Sequence, residues 1–301
     1  MAKGKAVTSS PAKVFLIRVF IRLCSIMPKQ AGRWLGKQFA AVSTRRKNRA
    51  YSTSVTNVAV CLPELDQEQQ QKIVYESLVN TGQLFAEAAK IWCQSNPEWW
   101  IDNIYGEKAV KETLNQGKGV LITGAHIGNW EAALYYLGSR YNFHCMYRPP
   151  RHLEMDKVIC KGRCKNSTTM VKGNSKGVMH LIDVLQQGSV AAILSDQEPG
   201  RRAGIFVPFF GKPALTMTLI QKVQQKSNAE VYQIAAIRNA TGRFDIHLEP
   251  LHMDPSLDEL AYATEVNQHL EAMIRRFPEQ YQWSYKRFKT TVDGSKNIYK
   301  K

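Results

Sequence analysis

A short apolar run, Val120 to Thr123, breaks at Gly124 and gives way to an apolar pattern of helical period from Ala132 to Leu137. Between them stands Gly124-Ala125-His126-Ile127-Gly128-Asn129-Trp130-Glu131. A brief continuous apolar run suits a buried strand, and a 3.6-residue period suits a helix, so the octet occupies a strand-to-helix turn. A strand that passes directly into a helix is half of a βαβ unit, and such units build parallel sheets covered by helices.

The rest of the chain repeats that alternation. Asp66 precedes a helical pattern that runs to about Trp92, with Ile73, Val74, Leu78, Phe85, Ala88 and Ala89 on its buried face, and Asp66 suits an N-cap. Helices are expected near 107–115, 130–138, 152–165, 175–187, 213–227 and 257–276, and strands near 119–123, 143–147, 168–172, 190–194, 230–237 and 243–249. The last two strands are joined by Asn239-Ala240-Thr241-Gly242, which permits a hairpin. The expectation is an α/β fold with a mostly parallel, mixed central sheet flanked by helices.

Charge is distributed unevenly. The chain has 301 residues and a net charge of +16, and residues 1–50 hold 12 Lys/Arg with no acidic residue before Glu64. A segment of that kind seeks an anionic surface. Val14 to Met27 (VFLIRVFIRLCSIM) would make a helix about 21 Å long, short of the roughly 30 Å of a bilayer core. Arg18 and Arg22 share one face, and Trp34 to Ala41 adds a second apolar patch beside Arg33 and Lys37. The pattern fits a helix lying in a membrane interface, with an anionic membrane surface as partner. A span would need its arginines to snorkel. Residues 1–42 are therefore expected to form a basic, amphipathic membrane anchor, and 43–301 one α/β domain. Six cysteines carry no disulfide or zinc-ligand spacing and read as free thiols.

In open α/β sheets ligands bind at the carboxyl ends of strands. Three polar clusters fall there: His126 after the strand at 119–123, Arg148 after 143–147, and Ser195-Asp196-Gln197 after 190–194. Neutral imidazole takes a proton from a hydroxyl when a carboxylate holds its other nitrogen. Glu131, five residues on, is the expected partner. One continuous helix would separate the two by about 140°. A turn at Gly128, with Asn129 as N-cap, folds His126 back over the first helical turn. The N–H groups of that turn are candidates to receive an oxyanion or phosphate. With 7 His and 25 acidic residues, about 0.6 such pairs arise by chance, so the context carries the signal. No second imidazole stands at ligand spacing, so neither a metal site nor a cofactor is expected.

These blocks resemble the late acyltransferases of lipid A biosynthesis, the lauroyl/myristoyl transferases of Gram-negative bacteria. The likeness runs through the N-terminal segment, RRKNRAYSTSVTNVAVCLPEL from Arg45, GAHIGNWE, Tyr147-Arg148-Pro149, Arg163, Asp196-Gln197, FVPFFG from Phe206, and Pro278 to Trp283 with Arg287-Phe288. It implies transfer of an acyl chain from acyl carrier protein to a hydroxyl of a phosphorylated glycolipid, at the cytoplasmic face of the inner membrane. It implies His126 and Glu131 as a catalytic dyad, with Asn129, Arg148, Arg163, Asp196 and Gln197 around the substrates. Glu198 stands where the family often has Asp, and Trp283-Ser284-Tyr285 lacks a histidine common near there, which leaves the acceptor open to another lipid or a polyene.

A thioester donor is already activated, so a base that deprotonates the hydroxyl and returns the proton to the thiol suffices without a covalent intermediate. Arg148 and Arg163 are the first candidates to fork a phosphate. The FVPFF run is either an acyl-pocket lining or plain core. Other classes compete. Gly173-Asn174-Ser175-Lys176-Gly177 fits the nucleophile-elbow pattern, with Asp196 and His247 or His252 in a permitted chain order. A non-enzymatic membrane-binding protein would use the basic arm alone. No nucleic-acid-binding signature is visible.

Overall fold

The computed structural model describes residues 11–93, 100–150 and 153–299. The first ten residues of the basic arm lie outside it.

Seven strands form the central sheet: β1 (Ile101–Tyr105), β2 (Val120–Thr123), β3 (Phe143–Tyr147), β4 (Thr168–Lys172), β5 (Val190–Ala192), β8 (Glu230–Arg238) and β9 (Phe244–Pro250). Their spatial order is β1-β9-β8-β2-β5-β3-β4. Every neighbouring pair is parallel except β8 with β9, the hairpin closed by Asn239 to Gly242. The mixed, mostly parallel sheet expected from the sequence is therefore present. Strands β2 and β5 are buried at every position, as a sheet covered on both faces requires. Helices α5 (Glu107–Asn115), α6 (Trp130–Arg140), α7 (Leu153–Arg163), α8 (Ser175–Gln186), α9 (Leu219–Ser227) and α10 (Glu259–Arg276) fill the connections. The apolar core falls into two main clusters, one rich in α8, α9 and α10 residues, the other in α6 residues.

Three stretches depart from the expectation: β1 is an edge strand and Arg49–Cys61 a helix where neither was expected, and the third is a ribbon. Residues 213–217 belong to a strand, β7 (Lys212–Met217), which pairs antiparallel with β6 (Gly204–Phe209) as a separate ribbon. The FVPFF run is this ribbon. Phe209 and Phe210 turn inward against Trp283 and Phe288, and Asn267 on α10 donates to the Pro208 carbonyl at 2.6 Å. It is core, not pocket lining.

Ahead of the sheet lie α1 (Pro11–Ile26), α2 (Lys29–Arg45), α3 (Arg49–Cys61) and α4 (Gln67–Cys93). Asp66 caps α4 as expected: its Oδ1 accepts from the Gln69 N–H at 2.8 Å while Gln69 Oε1 accepts from the Asp66 N–H at 3.1 Å, a capping box. Helices α1 and α2 both lie on α4. A Cβ at Gly36 of α2 would meet the Val79 carbonyl at 2.4 Å, so only glycine allows that approach. Cys24 turns inward to Ala86 and Ala89 of α4, while Phe15, Leu16, Phe20, Leu23 and Ile26 on α1 and Trp34 on α2 are each more than half exposed. Among the described residues no helix is long and apolar enough to cross a membrane.

Candidate active site

The turn after β2 is held from three sides. The Gly128 N–H donates to the Gln280 carbonyl at 2.9 Å, the Asn129 N–H to the Ala236 carbonyl of β8 at 2.8 Å, and the Gln282 N–H to the His126 carbonyl at 3.0 Å. Gly128 has φ of +59°, and a Cβ there would sit 2.0 Å from the Ala236 carbonyl oxygen, so glycine is required on both counts. Asn129 is the N-cap of α6: its Oδ1 accepts from the N–H groups of Glu131 at 3.0 Å and Ala132 at 3.2 Å.

Beside this turn, β5 delivers the next loop. The Ser195 N–H donates to the Gly124 carbonyl at 3.1 Å, and the Thr123 and Ser195 hydroxyls meet at 2.7 Å. Two loops 70 residues apart in sequence are thus fastened together because β2 and β5 are neighbours. Their union places Asp196 under His126. Asp196 Oδ1 stands 2.7 Å from His126 Nδ1, and Oδ2 accepts the His126 backbone N–H at 2.9 Å. Burial would push the Asp196 carboxyl up. The facing imidazole, these two bonds and the charge of Arg287 hold it below its ordinary value instead.

The expected pairing of His126 with Glu131 is replaced by this one. Glu131 Oε2 accepts from Trp92 Nε1 at 2.9 Å and from Arg163 Nε at 2.9 Å, and Oε1 accepts from a terminal nitrogen of the same guanidinium. The physical reason is the helix: Glu131 is inside the first turn of α6 and faces α4 and α7. Trp92 packs on Gly162 of α7, which seats Arg163 within reach. Burial works against the Arg163 charge, but Glu131 more than offsets it and its pKa rises.

Other expected site residues are placed as follows. Asn129 is fully buried; its amide Nδ2 donates to Glu87 Oε2 at 2.9 Å, so both ends of the side chain are spent inside the protein. Glu87 in turn holds Arg238, whose Nε donates to Glu87 Oε1 at 3.0 Å. Asp196 is 2% exposed and reaches His126 rather than open space. Gln197 stands over the ring, its Nε2 3.4 Å from both imidazole nitrogens. Arg148 is exposed at the end of β3. The backbone donors expected to receive an anion are occupied: the N–H groups from His126 to Asn129, and those of Glu131 and Ala132, all bond within the protein.

A small apolar cavity of about 20 Å³ lies beneath the turn, lined by residues that include Ala125, Ile127, Trp130, Ala133, Leu137 and Cys145. Trp130 meets the His126 ring edge-on, centroids 4.9 Å apart. Burial pushes the Cys145 thiol up to about 12, so it stays uncharged and the lining stays apolar. The sequence did not mark this cavity as such, although Ala133, Leu134 and Leu137 belong to the apolar pattern read for the helix and Ala192, Leu194 and Ile234 to expected strands. His126 thus joins a carboxylate on one nitrogen, a greasy cavity at its side and an amide above it. An imidazole held on one nitrogen by a carboxylate is chemically equipped to act as a general base.

The elbow reading of Ser175 does not survive this geometry. Ser175 is exposed at the start of α8, Asp196 is engaged by His126, and His247 lies on β9 between the rings of Tyr105 and Phe277 at 5.0 and 5.4 Å. His252 lies just past the end of β9, on the far side of β2 from Ser175 in the order of strands. Among the described residues no group of three His, Cys, Asp or Glu side chains is placed to hold a metal.

Comparison with known proteins identifies the family of the chain. Residues 2–290 match the family model of the bacterial lipid A biosynthesis acyltransferases. A lipid A biosynthesis palmitoleoyltransferase of Escherichia coli K12 is 27% identical over 271 residues, covering 88% of this chain and 87% of its own. A lauroyltransferase of lipid A biosynthesis from the same organism is 25% identical over 275 residues, 88% and 87% of the two chains. A lipid A biosynthesis acyltransferase of Haemophilus influenzae is 27% identical over 243 residues, 79% and 76%. With a match over nearly its whole length, the chain belongs to the bacterial lipid A biosynthesis acyltransferase family and is an acyltransferase.

Proposed function

We propose that this enzyme moves a fatty acyl chain from acyl carrier protein to a hydroxyl of a lipid A precursor, with His126 as general base. The observation that carries the reading is the 2.7 Å contact between His126 Nδ1 and Asp196 beside an apolar cavity. With Nδ1–H donated to Asp196, Nε2 is the basic nitrogen. It takes the proton of the acceptor hydroxyl as that oxygen attacks the thioester carbon. As the C–S bond breaks, the imidazolium returns the proton to the leaving thiol. Asp196 holds the tautomer and stabilises the imidazolium. The Gln197 amide, 3.4 Å from the ring, is the donor nearest to the developing oxyanion, since the turn's own N–H groups are occupied.

The apolar seam between α6 and the sheet opens from its cavity of about 20 Å³ to admit the acyl chain, each buried methylene then contributing about 0.8 kcal/mol. Exposed Arg148 takes a phosphate of the acceptor. Glu131 acts through Arg163 as a positioning pair that locks α7 against α6, rather than on the imidazole. The uncovered apolar faces of α1 and α2, interleaved with Arg18, Arg22, Arg33 and Lys37, dock residues 1–42 on an anionic membrane at the cytoplasmic face of the inner membrane. Residues 43–301 form the acyltransferase domain.

The test is turnover with acyl carrier protein thioesters and a lipid A precursor. His126→Ala is expected to lower kcat by about 10²–10⁴-fold with an unchanged melting temperature. Substantial activity retained by that variant refutes the assignment of the base. An active enzyme that uses neither substrate refutes the assignment of donor and acceptor.

A further inference from the structure

A second concave site lies away from the His126 turn. The start of α3 and the C-terminal tail enclose an open groove of about 500 Å³. Three cations line it, Lys47, Arg49 and Lys286, and no acidic residue does. None of the three forms an ion pair among the described residues. Elsewhere the chain pairs exposed lysines readily, Lys111 with Glu107, Lys157 with Glu154 and Lys118 with Glu230. Like charges in one groove repel, so a trio without a counter-ion is a cost that an anionic ligand removes.

The cations are held in place. Lys47 has φ of +43°, a conformation uncommon for a side chain that is not Asn, Asp or Gly, and the Ser52 hydroxyl fixes it by donating to the Lys47 carbonyl at 3.0 Å. The Lys286 ammonium sits over the Tyr299 ring, 5.2 Å from its centroid. Arg49 is the first residue of α3, a 13-residue helix whose positive end therefore adds to the same groove. Val55 and Ile298, both exposed, give the groove an apolar wall beside the charges.

We infer that the groove between α3 and the C-terminal tail is a binding site for a phosphate ester, seated on Arg49, Lys47 and Lys286. Arginine offers the bidentate fork and the two lysines offer point charges, a donor set suited to phosphate oxygens. The apolar wall suits the carbon side of an ester. The inference stands on the charge and shape of this groove and does not depend on acyl transfer at His126.

Calorimetric titration of the full-length protein with inorganic phosphate tests it. One saturable site is expected, weakened at least tenfold in Arg49→Gln/Lys286→Gln and unchanged in Lys108→Gln, a control on α5. Arg49→Lys, which keeps the charge but loses the fork, is expected to weaken binding by less than Arg49→Gln. The melting curve of each variant confirms folding, and Lys286→Gln alone, with a smaller weakening, serves if the double variant does not fold. Flotation with phosphatidic acid in phosphatidylcholine vesicles separates the sources. If the double variant also loses phosphatidic acid binding relative to wild type, the ester is a lipid headgroup; if it loses only inorganic phosphate, the ester is a soluble one. Phosphate binding that fails to saturate in wild type, or that is as tight in the variants as in wild type, overturns the proposal.

Discussion

Two buried carboxylates flank the same turn and do different work. Asp196, 2% exposed, meets an imidazole that is 19% exposed and borders a cavity. Glu131, 4% exposed, meets a guanidinium and an indole N–H, with Arg163 17% exposed. The first pair contains an imidazole, whose ring nitrogens can both accept and donate a proton; the second contains a guanidinium, which only donates. Reactive and structural pairs can therefore lie a few residues apart in sequence, and what separates them is the partner's chemistry. Nearness along the chain favoured Glu131 as the base's partner, whereas adjacency of β2 and β5 in the sheet selects Asp196.

The sharpest way to break this contrast is to neutralise each carboxylate without changing its size. Asp196→Asn is expected to cut kcat by about 10³-fold or more, because the amide favours the wrong tautomer. Glu131→Gln is expected to cost far less in kcat, and mainly in stability. Equal losses of kcat with unchanged melting temperatures would erase the distinction.

Stability gives the next effect. Removing one partner of a buried ion pair leaves a charge without compensation, at a cost of about 3–5 kcal/mol. Arg163→Met is expected to approach that loss in denaturant unfolding, and Glu131→Leu/Arg163→Met to recover much of it. A double variant no better than the single would show that the pair is not a unit.

The smallest effect is in acid. The Asp196 carboxyl binds its proton more weakly folded than unfolded, where it titrates near pH 4. Unfolding therefore takes up a proton below about pH 4, and the stability this residue contributes is lost as pH falls through its folded value. Unfolding free energies compared at pH 6 and pH 3 should fall less in Asp196→Asn than in wild type. An identical fall in both would remove Asp196 from the acid limb.

Much of this was legible in the residues. Strands β2, β3, β5, β8 and β9 and helices α4 to α8 and α10 follow from apolar period and caps, because those signals are local. The rim position of His126, Arg148 and Asp196 follows from reading which strands they end. The β6–β7 ribbon was not legible, because Lys212 to Met217 runs into the helical pattern of α9 without a marked break and its pairing is with residues before a turn at Phe210-Gly211. The Asp196 contact and the role of Gln280 in holding the turn depend on which strands and loops become neighbours, and no local pattern encodes that order. Asn129 was read correctly as the N-cap of α6, while its expected place around the substrates gives way to burial against Glu87 of α4, whose placement is tertiary.

The most direct measurement is nitrogen NMR of the His126 side chain in wild type, Asp196→Asn and Glu131→Gln. The neutral ring should carry its proton on Nδ1 in wild type and in Glu131→Gln, and lose that preference in Asp196→Asn. A proton on Nε2 in the wild type, or a tautomer that responds to Glu131 and ignores Asp196, would contradict the pairing on which the mechanism rests.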